Sequence, residues 1–290
     1  MPSAICFHLT AAAHAKDPVE RMKHVMLSTI TYLYPLHNWG KPLNPILGET
    51  FQARLKDGSM IYMEQISHHP PISYINYVGP DDMFSFYGYT EIAVRLRVNS
   101  VYLEVTGQKF VEFKDGTKIK FNNIQDVFQN TFMGVCHHIL YGKIQFDDDT
   151  NNMTGIMNIG EERGKAKDYF TGYIEQDGHK VCQNIEGTYM GYTDFEGERY
   201  FDVRHQNVLE QEDIPLDSKE PLCLQSDSRN RCDLRELFNG NVDVAQSNKH
   251  ELEVDQRRDR KLREKAAARR KNGGPKIVYP DEKELYYDNI

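Results

Sequence analysis

The stretch MIYMEQISHHPPISYINYV, residues 60–78, decides the fold. It contains two short runs rich in Tyr, Ile, Met and Val, Met60–Ile66 and Ile72–Val78, on either side of a Ser-His-His-Pro-Pro break. Apolar and aromatic runs of this length are typical of β-strands. Proline lacks the backbone N–H that a strand ladder needs, so a regular strand cannot continue through the break. We therefore predict two strands that are interrupted at the histidines.

The same pattern extends from about Met60 to Arg204. Short runs rich in Tyr, Phe, Val and Ile alternate there with turn signals such as Lys114-Asp115-Gly116-Thr117. Many short strands without intervening helices favour one large meandering antiparallel sheet, in a sandwich or barrel. The further predicted strands are Phe84–Tyr89, Ile92–Val98, Val101–Thr106, Ile139–Phe146, Tyr169–Gln176, Val181–Tyr189 and Glu198–His205.

Helical patterns flank the predicted sheet. Asp17-Pro18-Val19-Glu20 reads as a helix start, with a capping residue, a proline at the first helical position and a glutamate three residues after the cap. Apolar residues then recur at helical spacing up to Leu33, and the helix should end before Pro35. On the other side, Val242–Asn272 is a long charged helical stretch that ends at Gly273-Gly274-Pro275.

Composition excludes several classes of protein. Of the 290 residues, 39% are hydrophobic, which is enough for a sizeable core, and no apolar run is long enough for a transmembrane helix. The net charge of −8 argues against a nucleic-acid binder. Residues 249–276 contain 11 Lys or Arg and 5 Asp or Glu, so a basic helix of net charge +6 accompanies an acidic remainder of −14. The five scattered cysteines favour reduced thiols in the cytosol.

His68 and His69 are the most unusual residues of the predicted sheet. On a regular strand they would point to opposite faces, but a break at a sheet edge lets both imidazoles face one site. Such a site could ligate a metal, act as general acid or base, or bind an anion. No neighbouring His or Cys pattern completes a metal set. A structural strand end without any of these roles is the alternative.

A second stretch with anion-binding character is GKPLNPILGETF, residues 40–51. Two prolines fix a rigid loop on which Lys41 and Asn44 stand, and a Lys with an Asn suits an anion that has hydroxyl neighbours. On the C-terminal helix, Lys249, Glu253 and Arg257 share one face at i, i+4 and i+8. The alternatives are a structural loop and two surface salt bridges.

Together these groups fit a phosphomonoester, because they are cationic or can become cationic and a phosphate carries many acceptor oxygens. The sequence has no nucleotide-binding glycine motif and no nucleophile elbow. We therefore expect neither a cofactor nor a bound metal, and no enzyme. A phosphatase-like or hydrolase site with His68 or His69 as the base remains as an alternative.

The octapeptide EQISHHPP at Glu64–Pro71 resembles the signature of the oxysterol-binding-protein-related lipid-transfer domains. The resemblance extends over most of the chain, from about Asp17 to Lys271. It includes KPLNPILGETF, CHHILYGK at Cys136–Lys143, Gly187-Thr188-Tyr189, and Ser226-Asp227-Ser228-Arg229 with the helix that carries Lys249.

The resemblance implies a mainly β fold with flanking helices, in which a large incomplete antiparallel β-barrel encloses a lipid tunnel closed by an N-terminal lid. In these terms the whole chain, residues 1–290, is predicted as one lipid-binding domain. Residues 1–16 would be a short lid, 17–34 a helix, 40–205 the barrel, and 206–290 a C-terminal helical region with a tail.

The resemblance also implies a ligand, phosphatidylinositol 4-phosphate, and by motif position a set of headgroup residues. His68 and His69 would hold the 4-phosphate, and the others would contact the headgroup from the loop and from the helix at the tunnel mouth. The full set is Lys41, Leu43, Asn44, His68, His69, Lys249, Glu253 and Arg257.

The implied function is lipid transfer in the cytoplasm, with peripheral and transient contact to anionic membranes. The chain would take up phosphatidylinositol 4-phosphate and a second lipid, a sterol of the cholesterol or ergosterol type or another lipid, one at a time. It would exchange them between membranes. The alternative is a phosphoinositide sensor or scaffold that does not transport sterol.

Overall fold

The computed structural model describes residues 2–33, 43–160, 162–205, 211–212 and 224–271. The chain forms two compact units, Met1–Asn230 and Arg231–Ile290. The first unit contains the sheet and two helices, and the second contains two further helices. No helix in the described ranges combines the length and the apolar character needed to cross a membrane.

Fifteen strands of the described residues form one antiparallel sheet. Thirteen strands follow the spatial order β14-β13-β12-β11-β10-β9-β7-β6-β4-β3-β2-β1-β15, and β5 and β8 lie beside this path. Among the described residues, β14 and β15 are the two ends of the path and do not pair with each other. The strands are β1 Thr50–Leu55, β2 Met60–His68, β3 Pro71–Val78, β4 Phe84–Arg97, β5 Ser100–Thr106, β6 Gln108–Phe113, β7 Lys118–Asn122, β8 Gln125–Gln129, β9 His137–Asp148, β10 Met153–Ile159, β11 Tyr169–Gln176, β12 His179–Thr188, β13 Tyr192–Phe195, β14 Glu198–Asp202 and β15 Gln211–Glu212.

Two long strands, β4 and β9, divide the sheet into two branches. The first half of β4 pairs with β6 and its second half pairs with β5. Likewise the first half of β9 pairs with β8, and its last residues pair with β7. The strands β4 and β9 are therefore joined twice, once through β6 and β7 and once through β5 and β8.

Helices α1 (Pro2–His14) and α2 (Pro18–Leu33) pack together in the core of the first unit. Met22, Met26, Ile30 and Leu33 of α2 are wholly buried, and Gly155 of β10 lets the helix approach the sheet. A Cβ at Gly155 would lie 3.1 Å from the Met26 sulfur. The segment predicted as a short lid contains α1, whose buried side chains belong to the same core.

The face of the sheet that packs against α1 and α2 is called the inner face. It carries Phe84 and Phe86 of β4, Val111 of β6 and Phe146 of β9, which join one hydrophobic core with the helices. Because successive side chains of a strand point to opposite faces, this assignment fixes the inner side chains along each regular strand.

The predicted fold class, mainly β with flanking helices in a large incomplete antiparallel barrel, is confirmed. Two strands predicted separately, Phe84–Tyr89 and Ile92–Val98, form the single strand β4. The structure also contains strands that the sequence analysis did not name, among them β1, β6, β7, β8, β10 and β13.

The second unit contains helices α3 (Cys232–Phe238) and α4 (Val242–Lys271). Gly240 ends α3 with a positive φ of 81°, and its N–H donates to the Leu237 carbonyl at 3.0 Å. The buried Arg231 and Asp233 side chains form an ion pair, with 2.6 Å between Nη2 and Oδ2. Helix α4 lies where the sequence predicts a long charged helix over 242–272.

Burial of His8 should make the first unit sensitive to acid. His8 of α1 is 7% exposed, and its Nδ1 has no hydrogen-bond partner among the described residues. Burial, with a smaller effect of His24, lowers the pKa of His8 to about 4. In the unfolded chain His8 takes up a proton near pH 6.5, whereas in the folded chain it stays neutral until about pH 4. The free energy of unfolding therefore falls as the pH is lowered from 6.5 toward 4.

We predict that the free energy of unfolding falls by about 3 kcal/mol through His8 between pH 7 and pH 4. Urea denaturation followed by circular dichroism at several pH values would measure it. His8→Phe should show a smaller fall than the wild type, whereas His14→Phe, at an exposed position of the same helix, should keep the full fall. Equal falls in both variants would contradict the assignment to His8.

Candidate functional site

The two predicted histidines lie at a turn between β2 and β3. His68 pairs with Pro71, and His69 and Pro70 form the connection, with a cis His69–Pro70 peptide. The two imidazole rings contact each other edge to face, with 4.7 Å between their centroids. His68 is half-buried and His69 is exposed. The break predicted from the prolines thus becomes a tight turn that holds the two rings side by side.

A β-bulge in β2 directly precedes this turn. The register of β2 and β3 shifts between Gln65 and Ser67, which leaves Ile66 as an extra, exposed residue. The buried side-chain amide of Gln65 fixes the shift, because its Nε2 donates to the Ser67 carbonyl and its Oε1 accepts from the Ser73 hydroxyl, both at 2.6 Å. Gln65 belongs to the EQISHHPP motif, but the sequence analysis gave it no role.

The loop that carries Leu43 and Asn44 is attached to the same strand. The Gly48 N–H donates to the Gln65 carbonyl at 2.8 Å, and the Gln65 N–H donates to the Glu49 carbonyl at 2.9 Å. The Glu49 carboxylate closes the loop by accepting from the Ile46 N–H at 2.8 Å. The end of the loop and the histidine turn therefore share one anchor, Gln65. Lys41 lies outside the described residues.

The Ser226–Arg229 segment is fastened to β1. The Gln52 N–H donates to the Asp227 carboxylate at 3.2 Å, and the Arg229 guanidinium donates to the Gln52 carbonyl at 2.8 Å. Asp227 is buried and paired with Arg229, with 2.7 Å between Nε and Oδ1. This pair positions the chain where it leaves the first unit, and it explains the Ser-Asp-Ser-Arg sequence.

Lys249, Glu253 and Arg257 lie on α4 in the second unit. The Lys249 Nζ is 2.8 Å from Glu253 Oε1, and the Arg257 Nη1 is 3.9 Å from Glu253 Oε2. The hydrogen bond from Lys249 lowers the pKa of Glu253, and the charge of Arg257 lowers it further. The carboxylate thus orients two cations along one helix face, as the spacing predicts.

Along the second half of β4, the inner face is apolar and open to water. Its cross-strand pairs join Ile92 to Val105, Val94 to Leu103 and Leu96 to Val101. The pairs on the opposite face join Ala93 to Glu104, Arg95 to Tyr102 and Arg97 to Ser100.

The open apolar face, defined by the six residues from Ile92 to Val105 on the inner side of β4 and β5, continues the buried face of Phe84 and Phe86. Phe86 is 6% exposed, but Val94 is 59% and Leu96 is 76% exposed. The helices therefore cover one end of the inner face only. The sequence analysis missed this feature, although the alternation over residues 92–97 signals it.

Neither a metal set nor a separate cavity competes with these features. Within the described ranges, no group of three or more His, Cys, Asp or Glu side chains could hold a metal ion. A pocket of about 390 Å³ lies at the end of α1, and none of its lining residues is a predicted site residue. It is lined by Ala13, His14, Met83, Phe113, Lys114 and Asp115.

Comparison with known proteins places the chain in a family. The family model described as oxysterol-binding protein matches residues 4–273. The chain belongs to the oxysterol-binding protein family. The resemblance stated from the EQISHHPP motif is thereby confirmed.

Relatives within the oxysterol-binding protein family cover most of the chain. Oxysterol-binding protein 9 of Dictyostelium discoideum is 30% identical in an alignment of 279 residues that covers 88% of this chain and 64% of that protein. The chain thus spans less than two thirds of the first curated relatives that it matches.

Solved structures show the same fold. The Osh1 ORD domain in complex with cholesterol superposes with a TM-score of 0.73 at 20% identity, covering 91% of this chain and 72% of that one. The Osh3 ORD in complex with PI(4)P from Saccharomyces cerevisiae gives a TM-score of 0.71 at 20% identity, covering 90% and 76%.

The amide of Gln65 should support the histidine turn measurably. We predict that Gln65→Leu lowers the free energy of unfolding by about 1–3 kcal/mol, because it leaves the Ser67 carbonyl and the Ser73 hydroxyl without their partner. Ser73→Ala removes one hydrogen bond and should cost about 1 kcal/mol. Urea denaturation of both variants and of the double variant measures the coupling. Strictly additive losses would contradict a shared network.

Proposed function

We propose that the chain is a cytoplasmic lipid-transfer protein. It binds phosphatidylinositol 4-phosphate, and as a second ligand a sterol or another lipid, one at a time, and exchanges them between membranes. The observation that carries the proposal is the open apolar face. Membership of the oxysterol-binding protein family supports it, and so do the neighbours of the same fold, which are complexes with cholesterol and with PI(4)P.

The open apolar face favours a lipid over a polar ligand. Contiguous apolar side chains in contact with water raise the free energy of the unliganded protein, and such patches mark sites that bind apolar partners. Covering a Val or Leu side chain contributes about 1.5–3 kcal/mol. An acyl chain or a sterol body laid along the six residues would recover this energy without any directional bond, which suits ligands of similar width and different chemistry.

The histidine turn supports recognition of a phosphate. Both imidazoles stand within one turn, and the loop of Leu43 and Asn44 is joined to the same strand at Gln65. Imidazole and amide N–H groups donate to phosphate oxygens. The histidines lie where the regular pairing of β2 and β3 ends. In this proposal His68 and His69 hold the 4-phosphate, and Asn44, with Lys41 and Leu43, contacts the inositol ring.

Lys249, Glu253 and Arg257 would complete the headgroup site. Two cations held by one carboxylate leave a net positive charge on that face of α4. A phosphomonoester carries a charge close to −2, which favours a site with several cationic groups. In this proposal the trio adds cationic charge for the phosphate.

An apolar rim supports transient contact with membranes. Val98 in the β4–β5 turn is 97% exposed, and Phe132 and Met133 in the β8–β9 loop are 74% and 76% exposed. Asn99 joins the two segments, because its Oδ1 accepts from the N–H groups of Phe132 and Met133, each at 2.9 Å. This rim would enter the membrane interface.

We predict that His68→Ala with His69→Ala abolishes extraction of phosphatidylinositol 4-phosphate. Purified protein is mixed with liposomes that contain the labelled phosphoinositide or a labelled sterol, and lipid in the soluble fraction is counted. The double variant should extract less than a tenth of the phosphoinositide that the wild type extracts, and as much sterol as the wild type. The pair His14→Ala with His179→Ala, two exposed histidines elsewhere, is the matched control. Arg257→Gln should weaken extraction more than Arg263→Gln, farther along α4.

The outcomes separate transfer from sensing. Extraction of both lipids, with the phosphoinositide lost in the histidine variant, supports an exchanger. Binding of the phosphoinositide on liposomes without extraction of either lipid would favour the sensor or scaffold. Release of inorganic phosphate from the phosphoinositide would instead show an enzyme and overturn the proposal.

A further inference from the structure

Lys109 of β6 carries a buried amine at the edge of the apolar core of the first unit. Its side chain is on the inner face, because Lys109 pairs with Gly88 of β4 and with Phe121 of β7, and the residue is 7% exposed. The Nζ donates one hydrogen bond, to the Thr90 hydroxyl at 2.7 Å. An ammonium has three donors. The other two have no acceptor among the residues that the structure describes.

The position of this amine is specific. Below it on the inner face lie Phe86 and Val111, buried by the helices. Above it the inner side of β4 continues from Thr90 into Ile92, Val94 and Leu96. Lys109 and Thr90 therefore stand at the boundary where the covered core ends and the open apolar face begins.

No acidic side chain of the described residues forms an ion pair with this amine. Burial lowers the pKa of Lys109 to about 8. At neutral pH most Lys109 side chains therefore still carry the charge. A buried cation without a counter-charge destabilises a protein, and an anion placed beside it removes much of that penalty. Exposed lysines of the same sheet differ, since Lys120 on β7 pairs with Asp149 at 3.4 Å.

We propose that Lys109 and Thr90 form an internal polar end for an amphiphilic ligand that carries a carboxylate, such as a long-chain fatty acid. The hydrocarbon chain would lie along the open apolar face, and the carboxylate would accept the two unused N–H donors of Lys109. This inference rests on the proposed function only in that the open apolar face binds a lipid. It adds a second site of polar recognition, distinct from the histidine turn.

The chemistry favours a carboxylate over a hydroxyl. A carboxylate offers two acceptor oxygens to two donors and neutralises the charge, whereas a hydroxyl satisfies donors without neutralising it. A phosphomonoester would bring close to two charges to one cation, and the cationic groups that fit it are elsewhere in the chain. The ligand class is therefore a monoanion at the end of an apolar body.

The test compares two ligands that differ only at the polar end. The affinities of the full chain for palmitate and for hexadecanol are measured by displacement of a fluorescent fatty-acid probe. Wild type should prefer palmitate by tenfold or more. Lys109→Met should bind hexadecanol as wild type does, lose the preference for palmitate, and show an equal or higher melting temperature. Lys120→Met, the same change on a neighbouring strand, should keep the preference.

The other outcomes are informative. Equal affinities for the two ligands in wild type, or an unchanged preference in Lys109→Met, would overturn the inference. A preference for cholesterol over palmitate that Lys109→Met abolishes would assign the amine to a hydroxyl and would also overturn it. Phosphatidylinositol 4-phosphate extraction on the same preparations separates the two proposals. If it succeeds while palmitate fails to bind, only this inference falls, and if no apolar ligand binds, both fall.

Discussion

An antiparallel sheet with one apolar face must have that face covered, and this constraint governs the first unit. Helices α1 and α2 cover the end that carries Phe84 and Phe86. They do not cover Val94 and Leu96 on the same strand. Both ends belong to the single strand β4, so the uncovered end cannot change its position independently of the covered end. The buried core at one end and the open apolar face at the other are two parts of one face, and the position of the helices sets the boundary between them.

The polar groups follow from the same geometry. Within a regular ladder every backbone N–H and C=O is paired, so recognition groups collect where pairing is interrupted. The bulge at Ile66 and the turn at Pro70 interrupt β2 and β3, and the two imidazoles stand there. The change of partner of β4 from β6 to β5 is a second interruption. Lys109 and Thr90 lie beside it. Both interruptions border the inner face, so a ligand along that face could meet polar groups at more than one point.

The sequence predicts much of this fold because its signals are local. Alternation and turn residues indicate most long strands, and Met22, Met26, Ile30 and Leu33 indicate the buried side of α2. Signals fail where local and long-range effects differ. The sequence predicts two strands, Phe84–Tyr89 and Ile92–Val98, where the structure has the single strand β4. In the site, the motif indicated His68 and His69, but not Gln65, whose role depends on a register shift. Lys109 could not be found, because only cross-strand register places it on the inner face.

An uncovered apolar face and an unneutralised amine both raise the free energy of the unliganded protein, so their retention needs a physical reason. A hydrophobic core could have been completed with one more apolar residue at position 109 and with longer helices. Under the proposed function the reason is exchange. A ligand that must be released again cannot be held by a perfectly complementary site, and dispersed apolar contact gives affinity without strict geometry. Selectivity would then come from the few polar groups at the ends of the face. Each polar end would recognise one kind of chemical group, so one apolar face could bind different lipids.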